Sequence, residues 1–267
     1  MNEQPSAGID TFALPVSFVG PDGKKHSIMT VKEMTGRDDD LLAAQGVPWS
    51  LKIMQIIKNC TSAVGEIDGT DNAALTAAIK GLTNHDRLLA MIRIRMLTHG
   101  PRYEMTLTCN GCKRDHEMFV DLGEFVVPWA KSGDGNGPDP AETAAVDATG
   151  AFIVHLSGGR IVRWAYLTWD AENALAYLGK EEAEDNKSVD RARRSHALWG
   201  RLVSIDDFAF GRKFEVTSGG VPIMPQAERE QIDGLTMRHR TELWGAIRKH
   251  EAALLDLLGQ FLGVPLC

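Results

Sequence analysis

The sequence predicts an α+β protein of two similar lobes, each a β-hairpin or small antiparallel sheet with several helices, joined by a Gly/Pro-rich linker. Three observations predict it. Short alternating apolar runs around turn residues occur near the N-terminus and again after residue 150. Each is followed by apolar residues at helical spacing. Between them, residues 131–150 (KSGDGNGPDPAETAAVDATG) are dominated by small, polar and helix-breaking residues that could bury little core. The chain therefore divides into a first lobe, 1–130, a linker, 131–150, and a second lobe, 151–267.

The first lobe opens with Phe12-Ala-Leu-Pro-Val-Ser-Phe-Val, a Pro21-Asp22-Gly23 turn and a strand near Ser27–Lys32, which reads as a hairpin. Thr35 followed by Asp38 resembles a capping box, and acids in a first turn suit the helix dipole. A second helix is expected over 49–63, where Leu51, Met54, Ile57 and Val64 recur at near-helical spacing. Cys60 falls on this helix as a small core residue. A third helix is expected over 84–98, with Leu88, Leu89, Ile92 and Met96 on one face and Arg87, Arg93 and Arg95 elsewhere. His99-Gly100-Pro101 ends it, because Gly and Pro continue a helix poorly. Tyr103–Leu122 then reads as strand, Cys109-x-x-Cys112 loop, strand.

The second lobe restarts the pattern: strand Phe152–Leu156, turn Ser157-Gly-Gly-Arg160, strand Ile161–Leu167, and a helix from Thr168-Trp169-Asp170. Gly23-Lys24 matches Gly159-Arg160, Met34-Thr35 matches Leu167-Thr168, Ile67-Asp68 matches Ile205-Asp206, and Gly81-Leu82-Thr83 matches Gly234-Leu235-Thr236. These matches keep their order, as two divergent copies of one unit would.

The net charge of −7 over 267 residues gives no reason to expect binding to nucleic acid or an anionic membrane. No uninterrupted apolar stretch is long enough to span a bilayer, and the N-terminus lacks a signal-peptide pattern, so synthesis in a cytoplasm is expected. Four cysteines are too few for a disulfide scaffold. Cys109 and Cys112 suit tetrahedral zinc, a disulfide, or free thiols. His116 gives C-x2-C-x3-H, and Cys267 lies where the second copy would place its own cysteine loop. Cys109, Cys112, His116 and Cys267 are thus the candidate metal ligands, and structural zinc is the candidate cofactor. A redox pair would sit at a helix start, whereas a strand is expected after this one.

The carboxylate runs Asp38–Asp40 and Glu181–Asp185 read as solvated helix starts or loops. Hydrolase, P-loop and dinucleotide signatures are missing from the sequence, so no catalytic residue is assigned. Arg191, Arg193, Arg194 and Arg201 form a basic face that the preceding acids could neutralise. Trp164, Trp169 and Trp199 are candidate interface anchors.

These residues resemble the T-even-like baseplate proteins of contractile-tailed phages, a family that includes a baseplate hub component. The resemblance lies in Leu14-Pro15 and Gly23 leading to Met34-Thr35-Gly36-Arg37-Asp38. It continues in Asp86, Arg93, Gly100, Tyr103, Cys109, Cys112 and Val120-Asp121-Leu122, and in the restart Leu156–Arg160 with Leu167-Thr168. Where family members carry a second cysteine pair near the end, this chain has Cys267 alone.

The resemblance implies a structural, non-enzymatic component of a virion tail baseplate or its hub. Its partners would be other baseplate and tail proteins or further copies of itself, with no nucleic acid and no membrane. A transient assembly chaperone and a zinc-ribbon adaptor for nucleic acid or a polymerase are the alternatives. A metal or disulfide at Cys109/Cys112 would stiffen a protruding hairpin with little core of its own.

Overall fold

The computed structural model describes residues 8–20, 24–108, 113–123, 151–176, 195–211, 214–215 and 223–262. The architecture is mixed α+β, with small antiparallel sheets throughout. Two compact units divide the chain: Met1–Asp139 with Glu251–Cys267, and Pro140–His250. The turn at 21–23, the span 131–150, Arg191, Arg193, Arg194 and the acidic run 181–185 lie outside the described residues.

In the first unit, β1 (Ile9–Val19) and β2 (Lys25–Lys32) form the expected hairpin. Phe12 and Leu14 alternate inward against Met29 and Val31, as a half-buried sheet requires. α1 (Gly36–Ala43) starts at Thr35, whose N–H and hydroxyl both donate to Asp38 Oδ2 at 2.8 Å. Asp38 is itself buried and accepts from Asn59 Nδ2. Burial raises its pKa, but the bonds from Asn59 and Thr35 outweigh that and hold it below the ordinary 3.8. Because the folded-state value is depressed, Asp38 stabilises the fold above that ordinary value and loses the contribution as pH falls through the folded-state value. Asp38→Asn is expected to flatten the acid limb of stability, read as the difference in urea midpoint between pH 6 and pH 3.

α2 (Trp49–Cys60) is shorter than periodicity implies. Thr61–Val64 is β3, and Val64 faces the core by pairing with Met29 on β2, not by continuing the helix. β-branched Thr61 and Val64 favour the pleated conformation. Cys60 is buried, as expected, and desolvation pushes its thiol up to about 12. β4 (Ile67–Asp68) closes a second hairpin, and α3 (Asn72–Gly81) follows with Asp71 accepting from Ala73 N and Ala74 N. α4 (Asn84–His99) agrees with expectation in extent but is rotated in its facing. Leu89, Ala90 and Ile94 are its deepest apolar residues, and Arg87 is buried with them. Arg93 reaches Asp10 on β1 at 3.2 Å and lies over the Phe12 ring.

In the second unit, β7 (Phe152–His155), β8 (Ile161–Trp164), β9 (Leu202–Ile205) and β10 (Phe208–Ala209) form a sheet in chain order, as β1 to β4 do. α5 (Trp169–Ala176) begins after Thr168, and α6 (Gln226–Asp233) and the part of α7 (Met237–Leu262) up to His250 follow the sheet. Among the described residues the core of this unit buries Trp164, Tyr166, Trp169, Trp199 and Phe210 alongside aliphatic side chains, where the first unit's core has Phe12 as its buried aromatic. Trp164 stacks on Phe152 at 4.5 Å, with Tyr166 edge-on to both. Trp199 donates Nε1–H to buried Glu228, which also accepts from Gly211 N at 2.8 Å. Trp164, Trp169 and Trp199 are all buried, so none presents an interface.

The two sheets agree below the level of strand order. In the first, Thr30 pairs with Ala63 but Val31 with Thr61, leaving Ser62 as an extra residue. In the second, Arg163 pairs with Ser204 but Trp164 with Leu202, leaving Val203 extra. Gly65 N donates to Ile28 O at 2.8 Å, and Asp206 N to Ile161 O at 2.7 Å. Gly69 N donates to Ser62 O, and Phe210 N to Val203 O. Gly65 and Asp206 both adopt left-handed backbone, φ 57° and 52°. A Cβ at Gly65 would collide with His26, so glycine is required there, whereas the turn at Asp206 takes an acid. The register therefore sets Val64-Gly65, not Ile67-Asp68, opposite Ile205-Asp206.

Both units also fasten the first hairpin turn in the same two ways. An ion pair joins it to the second turn: Lys24–Glu66 at 2.6 Å and Arg160–Asp206 at 2.8 Å. A carboxylate from the long helix caps a backbone N–H after the first strand's last regular pair. Asp86 Oδ1 accepts from Val16 N at 2.9 Å, and Glu242 Oε2 from Ser157 N at 2.8 Å.

Candidate interaction site

Two features of the first unit stand outside its core. The first is the hairpin of β5 (Arg102–Thr108) and β6 (Asp115–Asp121). Gly100, at φ 80°, ends α4, and Leu122 N donates to Pro101 O to close the hairpin base. Seven pairs run in unbroken register from Arg102↔Asp121 to Thr108↔Asp115. Alternation puts Tyr103, Met105, Val120 and His116 on one face, and Arg102, Glu104, Thr106, Asp115, Glu117, Phe119 and Asp121 on the other. The second face is solvent-exposed at Arg102, Glu104, Thr106, Asp115, Glu117, Phe119 and Asp121. Arg102 lies 4.1 Å over the Phe119 ring, and Arg95 of α4 lies 4.9 Å over Tyr103. A two-stranded hairpin is marginal in water without further packing. The Arg95–Tyr103 cation–π contact and the Arg95 bonds to Gly100 O and Arg102 O tie its root to α4.

The second feature is the connection from α1 to α2. Leu41–Leu51 carries no charge, and Val47, Trp49 and Leu51 are exposed, Trp49 by 64%. Trp is seldom left this open on a surface that nothing covers. The connection is nevertheless fixed. Pro48 O accepts from Leu51 N and Lys52 N, and the buried Lys52 extends Nζ to Leu42 O at 2.6 Å. A rigid aromatic on an uncharged turn is the kind of residue that anchors protein interfaces. The sequence pointed instead to Trp164, Trp169 and Trp199; the useful signal was Trp49 inside a charge-free, Gly/Pro-containing turn.

The predicted metal ligands are placed only in part. His116 is half-buried on β6, opposite Leu107. Cys109, Cys112 and Cys267 lie outside the described residues. Among the described residues, no three His, Cys, Asp or Glu side chains group to hold a metal ion. The buried carboxylates Asp38, Asp86 and Glu228 are each engaged in holding backbone or side-chain donors of the fold. No helix among the described residues is long and apolar enough to cross a membrane.

Comparison with known proteins adds one finding. Residues 17–139 match the family described as T4 bacteriophage base plate protein, a span that contains both exposed features. No curated protein and no solved structure matches the chain. Over residues 17–139, from the first hairpin through β5–β6, the chain is similar to the T4-like phage baseplate protein family, and this match supports a T4-like phage baseplate protein.

Proposed function

We propose that the chain is a non-catalytic structural component of a phage tail baseplate or its hub, holding neighbouring baseplate subunits together. The family match over residues 17–139 carries this reading. Trp49 and the β5–β6 hairpin are surfaces by which neighbours would grip it. The common strand order, the bulge at Ser62 and Val203 and the paired turn clamps support two divergent copies of one unit. A duplicated scaffold offers two related but non-identical contacts from one subunit, which suits a joint between different neighbours. Quantitative mass spectrometry of purified particles tests the reading. The chain is expected at fixed stoichiometry with the other baseplate proteins; its presence during assembly and absence from finished particles would make it an assembly chaperone.

We also propose structural zinc at Cys109 and Cys112, with His116 and Cys267 as further ligands. The register supports a local part of this set, since Thr108↔Asp115 closes the strands on the connection that bears both thiols and sets His116 next to that end. Elemental analysis of the isolated chain is expected to find about one zinc ion per chain, lost together with Cys109→Ser and Cys112→Ser. Thiols that titrate freely in metal-free protein, with no zinc recovered at purification, would contradict the assignment.

A further inference from the structure

We propose that the outer edge of β6 receives an extended segment of a neighbouring tail protein, in which basic and apolar side chains alternate. The inference rests on the baseplate reading and specifies how one of its contacts is made.

Leu122 N donates to Pro101 O, and these residues oppose each other in the hairpin register. Hydrogen-bonded and non-bonded pairs alternate in an antiparallel ladder. Tyr103 and Val120 therefore bond across the hairpin, while Glu117 and Phe119 turn their N–H and C=O away from β5. Among the described residues, β6 pairs with no strand except β5. The edge of β5 differs, because Arg95 Nη2 already occupies the outward carbonyl of Arg102 at 3.1 Å. Among the described residues the hairpin thus has one obstructed edge and one open edge, and an open edge is a template for another strand.

Side-chain chemistry then selects the occupant. A strand added to β6 lies about 4.8 Å away and shares its two faces. On one face its residues would sit beside Glu117, Phe119 and Asp121, with Glu104 one strand beyond. This face carries four carboxylates, Glu104, Asp115, Glu117 and Asp121, against one guanidinium, Arg102. On the other face they would sit beside Val120, continuing an apolar surface with Met105 and Tyr103. Lys or Arg at every second position, with Val, Ile or Leu between, satisfies both faces. A second copy fits poorly, because β6 against β6 would oppose like charges.

The test uses the full chain and two labelled peptides of identical composition, one alternating Lys with Val and one with Lys and Val in separate blocks. The alternating peptide is expected to bind about tenfold tighter, as several favourable cross-strand pairs would give. Phe119→Pro removes an outward N–H and no bond within the hairpin, and is expected to bring the two affinities together. Glu117→Lys is expected to do the same with every backbone group intact, and covers the case in which the proline disturbs folding. Equal affinities in the unaltered chain, or a preference that survives both variants, would overturn the proposal. A self-associated chain that Phe119→Pro returns to monomer would overturn it too, by assigning the edge to a second copy. Either result leaves the chain's presence in particles untouched, so the baseplate reading stands or falls separately.

Discussion

Trp49→Ala is expected to leave the chain folded while removing it from its assembly. Trp49 makes few contacts that folding depends on: its side chain is 64% exposed, and the turn is held by Pro48 O and Lys52. Truncation of such a residue changes stability by roughly 0.5 kcal/mol or less. At an interface the same truncation costs on the order of 2 kcal/mol or more, about thirtyfold in Kd, because a desolvated aromatic anchor is lost from its pocket. Urea unfolding of the purified variant and its recovery in particles measure the two effects. A variant that unfolds readily, or one that enters particles at the unaltered level, would show that this turn is not an interface.

Asp86→Ala is expected to cost about 3 kcal/mol of stability, the largest effect of any single polar change in the first unit. Asp86 is fully buried and accepts from Val16 N, Thr83 N and the Thr83 hydroxyl. Its removal leaves backbone donors on β1 and at the start of α4 without their acceptor, adding an unsatisfied-group penalty to a lost cap. Asp86→Asn keeps an acceptor oxygen and should lose less. Glu242→Ala in the second unit removes the corresponding clamp on Ser157, but from a part-exposed carboxylate that water replaces more easily, so its effect should be smaller. Urea midpoints of the three variants give the order; equal losses for Asp86→Ala and Glu242→Ala would mean that burial does not govern the clamp.

Local signals made part of this structure readable before the fold was known. Thr35 with Asp38, and the Gly-Pro stop after His99, act within a turn of the chain, and both appear where expected. The β5–β6 strands were legible because the span alternates around an obvious loop. What escaped depended on partners distant in sequence. Val64 satisfies a helical period and a strand equally well, and only pairing with Met29 decides between them. Arg87 looks like a surface cation, yet it lies in the buried face that begins at Asp86. The tryptophans were misread for a related reason. Trp164 sits in a polar-looking hairpin but turns inward against Phe152, whereas Trp49, beside an ordinary amphipathic helix, turns outward. The sequence argues for the proposed duplication only through short matches, and the bulge that the two sheets share at Ser62 and Val203 leaves no mark on composition.

Under the proposed function, other tail proteins grip this chain through its exposed first-unit features. Lysine cross-linking of purified particles tests it most directly, because Lys113 is exposed at the start of the return strand. Links from Lys113 to a different tail protein in intact particles are the predicted result. A chain recovered from particles with Lys113 modified only by solvent-quenched reagent, and inter-protein links confined to other regions, would contradict it.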